Sequence, residues 1–273
     1  MNRTIAFSAA LLLATVSAQA QETGRLPLWE AGVVGGGVST PSYPGSPDRS
    51  ARGLVLPYFV YRGDVVRVDR SGIGARLLHT DQTEFDLGLG GSLPSNSQDT
   101  TTRQGMPDLG TLVEFGPRLK LTLARPAPGQ RLRLDLPLRA VLEVRGGVRQ
   151  QGLAFEPELR YEMRDLGAGW SLSSGASVVL GDQKLNRYFY DVAPEYASAL
   201  RPAYEAKAGL IATRLSFNTT KDLSPDLRVF GLLRLESYSG SANLNSPLHV
   251  RASGTWLGLG LAWTLGRSES HAP

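Results

Sequence analysis

The chain contains no cysteine among its 273 residues. Disulfides, thiolate nucleophiles and cysteine-bound metals are therefore excluded. Histidine is almost as scarce, with only His79, His249 and His271, and no spacing of histidines and carboxylates suits a metal ion. The 29 Lys and Arg residues are interspersed with 25 Asp and Glu, so no basic block marks nucleic-acid binding. Beyond the N-terminus no apolar run is long enough for a membrane-spanning helix. Mean hydropathy is −0.14, a value that a membrane barrel shares with soluble proteins because half of each strand faces water.

What the chain has in quantity is glycine and proline, 31 and 17 residues, which suits a turn-rich β protein. It opens on Met1-Asn2-Arg3, continues with an apolar run from Ile5 to Val16, and reaches Ser17-Ala18-Gln19-Ala20. This is the pattern of a secretory signal peptide over residues 1–20, cleaved after Ala20. No cysteine follows to carry a lipid anchor. Without Arg3 the basic residues fall from 29 to 28, against 25 acidic ones, for a net charge of +3. Residues 21–273 are expected to form one β-barrel, with strands over about 28–265 and a short tail at 266–273.

Residues 131–145 carry the strongest signal. Leu132, Leu134, Leu136, Leu138, Ala140, Leu142 and Val144 alternate with Arg131, Arg133, Asp135, Arg139, Glu143 and Arg145. Period-2 alternation is a strand with one apolar and one wet face. At 15 residues it exceeds the usual strand length of about 3–10. A strand tilted across an outer membrane needs about 9–11 residues, apolar towards lipid and polar towards the lumen. The same alternation recurs in 112–123, 153–163 and 170–180. Strands are expected at 28–38, 53–62, 64–69, 72–80, 83–93, 112–125, 131–145, 151–165, 168–180, 203–217, 226–238 and 254–265.

Tight turns at 62–64, 81–82, 126–130, 165–167 and 218–225 alternate with junctions that include the long ones, 39–52, 94–111, 181–202 and 239–253. Outer-membrane barrels are built this way, with short periplasmic turns and long outer loops. The expected fold is all-β, a closed antiparallel transmembrane barrel of twelve strands, or ten if 64–69 and 72–80 merge. Lipid cannot satisfy an open strand edge, so such a sheet must close.

Arg131, Arg133, Arg139 and Glu143 then face Glu156, Glu158, Arg160 and Glu162 of the next strand as a charged lumen wall, with opposite charges pairing across the ladder. Tyr58, Phe59, Tyr61, Trp170, Phe217, Phe230, Tyr238, Trp256 and Trp263 lie near strand ends and are expected in aromatic girdles. No catalytic set is evident: His79 precedes Asp81 without a positioned nucleophile, and each histidine reads as a surface residue. The runs Gly35–Gly37 and Gly88-x-Gly90-Gly91 are followed by no helix, so they are strand glycines and not phosphate loops.

Four segments resemble those of the MltA-interacting protein family, also called the MipA/OmpV family. They are Gly35–Gly45, with Tyr43 in a Pro-x-Tyr-x-Gly loop; Asp182–Asn186 with Tyr188–Val192, followed by Tyr204 and Gly209; Tyr238–Ala242 with Asn245-Ser246-Pro247-Leu248; and Gly258–Trp263. The chain departs from the pattern in continuing past Trp263 to Pro273. The resemblance implies an outer-membrane protein whose namesake is described as a scaffold between a murein-degrading lytic transglycosylase and a murein polymerase. Tyr43, Tyr188, Tyr190, Tyr204 and Pro247 become candidate loop residues, for binding or for packing the loops onto the rim. The expectation is a non-enzymatic scaffold without cofactors. Its partners would be outer-membrane lipid and a periplasmic murein hydrolase or synthase. A narrow channel for small solutes is the alternative, and a lipid hydrolase using His79 a third reading.

Overall fold

The computed structural model describes residues 26–63, 66–69, 72–164 and 166–272. The expected signal peptide, residues 1–20, lies outside them. Among the described residues thirteen strand segments form one antiparallel sheet. They are β1 (Trp29–Pro41), β2 (Arg49–Arg62), β3 (Val66–Asp69), β4 (Gly72–His79), β5 (Thr83–Ser92), β6 (Thr111–Ala124) and β7 (Gln130–Val144). After these come β8 (Val148–Phe155), β9 (Glu158–Met163), β10 (Trp170–Gly181), β11 (Gly209–Asp222), β12 (Leu227–Ser237) and β13 (Ser253–Arg267). Consecutive strands pair, except that β8 and β9 both lie between β7 and β10. β13 pairs in turn with β1, from Glu30↔Arg267 to Ser39↔Leu257. One helix, α1 (Gln183–Tyr190), sits in the loop between β10 and β11. No helix among the described residues is long and apolar enough to cross a membrane.

Alternation decides which side chains turn inward. Along β7 the inward row holds Arg133, Asp135, Val141 and Glu143, all buried, whereas Leu138 of the other row is exposed. β13 is the clearest outward row: Leu257, Leu259, Leu261, Trp263 and Leu265 are all at least half exposed. Phe59, Phe115, Leu123, Trp170 and Phe217 are exposed likewise. Such a continuous apolar exterior is far from the isolated surface leucine of ordinary soluble proteins.

Four of the aromatics expected in girdles are interior instead. Tyr58 and Phe230 belong to a buried cluster with Val34, Leu56, Val60 and Ala262, and the Tyr58 and Thr264 hydroxyls are hydrogen-bonded at 2.5 Å. Tyr238 is fully buried, and Trp256 donates to Glu236. Phe230 packs closely against β13 at Gly260, where a Cβ would stand 2.3 Å from its ring; only glycine leaves that room.

Three segments differ from expectation. The strand expected over 151–165 is broken at Glu156 and Pro157. Pro157 has no N–H for the ladder, and the bonds beside it are long, Glu156 N to Pro137 O at 3.4 Å and Val178 N to Pro157 O at 3.3 Å. The strand expected over 203–217 begins at Gly209 and runs to Asp222. Residues 204–207 are held by loops instead: Tyr204 pairs with Val192, and the Ala206 N–H donates to Asp191 at 2.6 Å. The loop expected at 39–52 shrinks to 42–48 because β1 and β2 pair as far as Pro41↔Arg49.

Candidate functional site: a charged interior under a loop cap

The inward face surrounds a cavity of about 800 Å³. Its walls carry linked ion pairs. On β7 and β9 the register sets Arg131 opposite Glu162, but Arg133 opposite Arg160 and Asp135 opposite Glu158. Like charges directly opposite repel, so the pairs form along the strands and diagonally. Arg133 grips Asp135 at 2.6 Å and reaches Glu162 at 3.3 Å, while Arg160 binds Glu158 at 2.5 Å. Nearer the loops, Arg139 joins Glu114 at 3.0 Å to Glu156 at 3.2 Å. Arg214 joins Glu156 at 2.8 Å to Glu236 at 2.6 Å. Glu236 also accepts from the Tyr238 hydroxyl at 2.5 Å and the Trp256 indole at 3.2 Å. On β5 and β6, Lys120 lies between Glu84 at 2.6 Å and Asp86 at 2.7 Å. Pairing and hydrogen bonding of this kind offset the cost of burying charge.

The loop end is covered. Asp182 caps α1 by accepting from the Leu185 N–H at 2.8 Å, as N-cap carboxylates do. Asn243, fully buried, donates to Asn186 at 2.8 Å and to the Lys207 carbonyl at 2.9 Å, and accepts from the Lys207 N–H at 2.8 Å. Arg201 donates to the carbonyls of Tyr196, Thr102 and Gln104. The Ser246 hydroxyl donates to the Tyr190 carbonyl at 2.8 Å. Loops 42–48, 93–110, 182–208 and 238–252 are thereby locked to one another over an apolar cluster of Tyr43, Leu109, Val192 and Leu248.

The family-like loop residues are part of this cap. The Tyr43 hydroxyl donates to the Leu248 carbonyl at 2.6 Å, Tyr188 to Glu143 at 3.2 Å, and Tyr204 to Asn243 at 3.2 Å. Tyr190 is fully buried, and half-buried Pro247 lies between Ser246 and Leu248. Burial pushes the Tyr43, Tyr188, Tyr190 and Tyr204 phenols above their ordinary range, so each stays protonated at neutral pH.

Of the expected wall residues, Arg131, Arg133, Arg139, Glu156, Glu158, Arg160 and Glu162 line the cavity. Glu143 serves the cap instead: it accepts from the Gly110 N–H at 2.9 Å and from Gln151 at 2.7 Å as well as from Tyr188. Arg214, Arg234, Glu236 and Trp256 line the same cavity, and this row was legible in the same alternation, since Arg234 and Glu236 interleave with Leu233 and Leu235.

His249, expected at the surface, is half-buried between Tyr190 and Tyr238, with ring centroids 5.8 and 5.9 Å away. Burial lowers its pKa. His79 ends β4, with its side chain outside the described part, and His271 lies in the tail, paired through Pro27. Among the described residues no cluster of three or more His, Asp or Glu could hold a metal ion.

A search of curated proteins finds no match. Several solved structures are similar at low identity. A bacterial polysaccharide outer membrane secretin shares 10% identity over 90% of this chain and 100% of that one, with a TM-score of 0.39. Outer membrane phospholipase A from Escherichia coli shares 10% over 94% and 98%, at 0.28. The TodX deltaS2S3 mutant, a monoaromatic hydrocarbon channel, shares 12% over 97% and 94%, at 0.32. TM-scores this low carry no argument about what the chain does. The family model described as MltA-interacting protein MipA, in contrast, matches residues 33–265. The chain belongs to the MltA-interacting protein family.

Proposed function

We propose that the chain is a closed, twelve-strand outer-membrane barrel that acts as a non-enzymatic anchor for a periplasmic murein hydrolase or synthase. Counting β8 and β9 as two halves of one strand gives twelve, and the β13–β1 ladder supports closure. The outward rows of leucine and aromatic side chains suit lipid as the surrounding partner. The observation that carries a structural role over free conduction is the cap: four loops are locked by buried Asn243, Arg201 and Tyr43 over the loop end. The family's printed description, an interaction with MltA, supports the choice of partner.

Docking falls to the opposite end, where residues 26–28 run beside residues 270–272. There Leu28 N donates to Ser270 O, and Ala272 N to Leu26 O. The turns at that end are short, and a stable interface buries about 1,200–2,000 Å²; the partner must therefore cover several turns at once. Cross-linking in intact envelopes followed by affinity capture tests this reading. A murein enzyme recovered with the wild type, and lost when charges are inverted on the 125–129 turn and its neighbours, is expected. Capture without any murein enzyme sinks it.

The second reading is a narrow channel, favoured by the 800 Å³ cavity and its mixed-charge wall. In planar bilayers the refolded, heat-modifiable protein is expected to be silent. Discrete steps whose ion selectivity shifts when Arg131, Arg133 and Arg139 are neutralised would establish the channel.

A further inference from the structure

Arg234 is the exception among the guanidiniums of the upper wall. Its inward position on β12 stacks it over the Trp256 ring, 5.0 Å from the centroid. Among the described residues it has no ion pair and donates no hydrogen bond. The carboxylates nearest in the network are already committed. Glu156 accepts from Arg139, Arg214 and Ser177, and Glu236 from Arg214, Tyr238 and Trp256. Arg234 thus offers a planar fork of up to five N–H donors to the cavity that it lines.

The same cavity has an apolar roof towards the cap. Leu112, Val179, Leu185 and Ile211 line it, packed in one cluster with Tyr238. Arg234, Glu236 and Tyr238 are alternate residues of one row, so Arg234 stands about 13 Å below Tyr238 at the rise of a strand. A volume of 800 Å³ falls in the usual range for small-molecule sites, about 300–1,000 Å³, where apolar walls hold the body and a few polar groups fix the head.

From this juxtaposition we infer that the interior binds an elongated organic anion, its acidic head on the Arg234 guanidinium and its apolar body under the Leu112–Val179–Ile211 roof. Trp256 holds the guanidinium flat by cation–π stacking, which presents its edge for a bidentate contact with a carboxylate. The site rests on the reading of this face as a barrel interior. Heat-modifiable migration on a gel tests that reading separately.

The experiment is calorimetric titration of the detergent-folded protein with 4-phenylbutyrate, 4-phenylbutylamine and inorganic phosphate. The acid and amine partition into micelles through the same apolar body, so their difference isolates the charge. Saturable binding of phenylbutyrate is expected, with phosphate weaker by about tenfold or more for want of apolar burial and the amine not binding. Arg234→Gln should weaken phenylbutyrate by about ten- to a hundredfold, the worth of a charged hydrogen bond. Equal binding of amine and acid by the wild type overturns the inference whether or not the variant folds. So does phosphate binding as tightly as the acid, or a folded, heat-modifiable R234Q protein that binds phenylbutyrate unchanged.

Discussion

The Arg214 guanidinium of β11 reaches across β10 to the Glu156 carboxylate, 2.8 Å away. Glu156 stands at the break between β8 and β9, where the backbone bonds are long, 3.4 and 3.3 Å. Side-chain electrostatics therefore bridge the point that Pro157 leaves thin. The same carboxylate accepts Arg139 from β7, which makes it the junction of the upper wall.

Glu156→Gln leaves two partly buried guanidiniums short of a counter-charge. A loss of about 2 kcal/mol is expected, towards the low end for broken buried pairs because the wall borders a wetted cavity. Urea unfolding followed by tryptophan fluorescence measures it. The double variant Glu156→Gln, Arg214→Met should lose less than the two single losses added together. Strict additivity would mean that the two side chains do not interact.

Gly152 ties the sheet to the cap. Its φ is +124°, and a Cβ there would lie 2.2 Å from the Asp182 Oδ1 that caps α1. Gly152→Ala should cost more than the usual gain of about 0.4–1 kcal/mol from removing a compatible glycine. It should also loosen α1. Faster proteolysis within residues 182–208, with the rest of the chain still protected, is the expected outcome; an unchanged digest would count against the link.

Acid should loosen the cap through His249. Burial depresses its folded pKa below the unfolded 6.5, so the unfolded loop binds more protons. The packed state loses no stability above about pH 7. It weakens as pH falls through about 6.5, and the loss stops growing once pH is below the folded pKa. Tyr190 and Tyr238 face the ring, with Glu236 behind Tyr238. Hydrogen exchange of residues 238–252 between pH 8 and 5 should show this, and His249→Phe should flatten the low-pH rise.

Leu259 is 71% exposed midway along β13. If its row faces lipid, Leu259→Arg costs about 2–4 kcal/mol near the bilayer midplane. Refolding into phosphatidylcholine vesicles should fall accordingly, whereas Ser216→Arg is no control because it enters the cavity. Equal folding of Leu259→Arg and wild type would remove the lipid-facing assignment.

The order of residues alone sets the strand alternation, and with it most of the charged wall. Wherever one row is charged and the other apolar, as from Leu132 to Val144, period 2 fixes which side each residue takes. β2 shows where that logic stops. Leu54, Leu56, Tyr58 and Val60 interleave with Val55, Pro57 and Phe59, so both rows are apolar and the pattern carries no parity. Only tertiary packing turned Tyr58 inward against Phe230. Register was equally hidden, since it depends on which strands meet: Arg133 falls opposite Arg160, and attraction is recovered on the diagonal to Glu162. The cap was the least legible part. Its contacts, such as Asn243 to Asn186 and Tyr43 to Leu248, join residues 57 and 205 positions apart, and no local periodicity encodes a loop that folds against other loops.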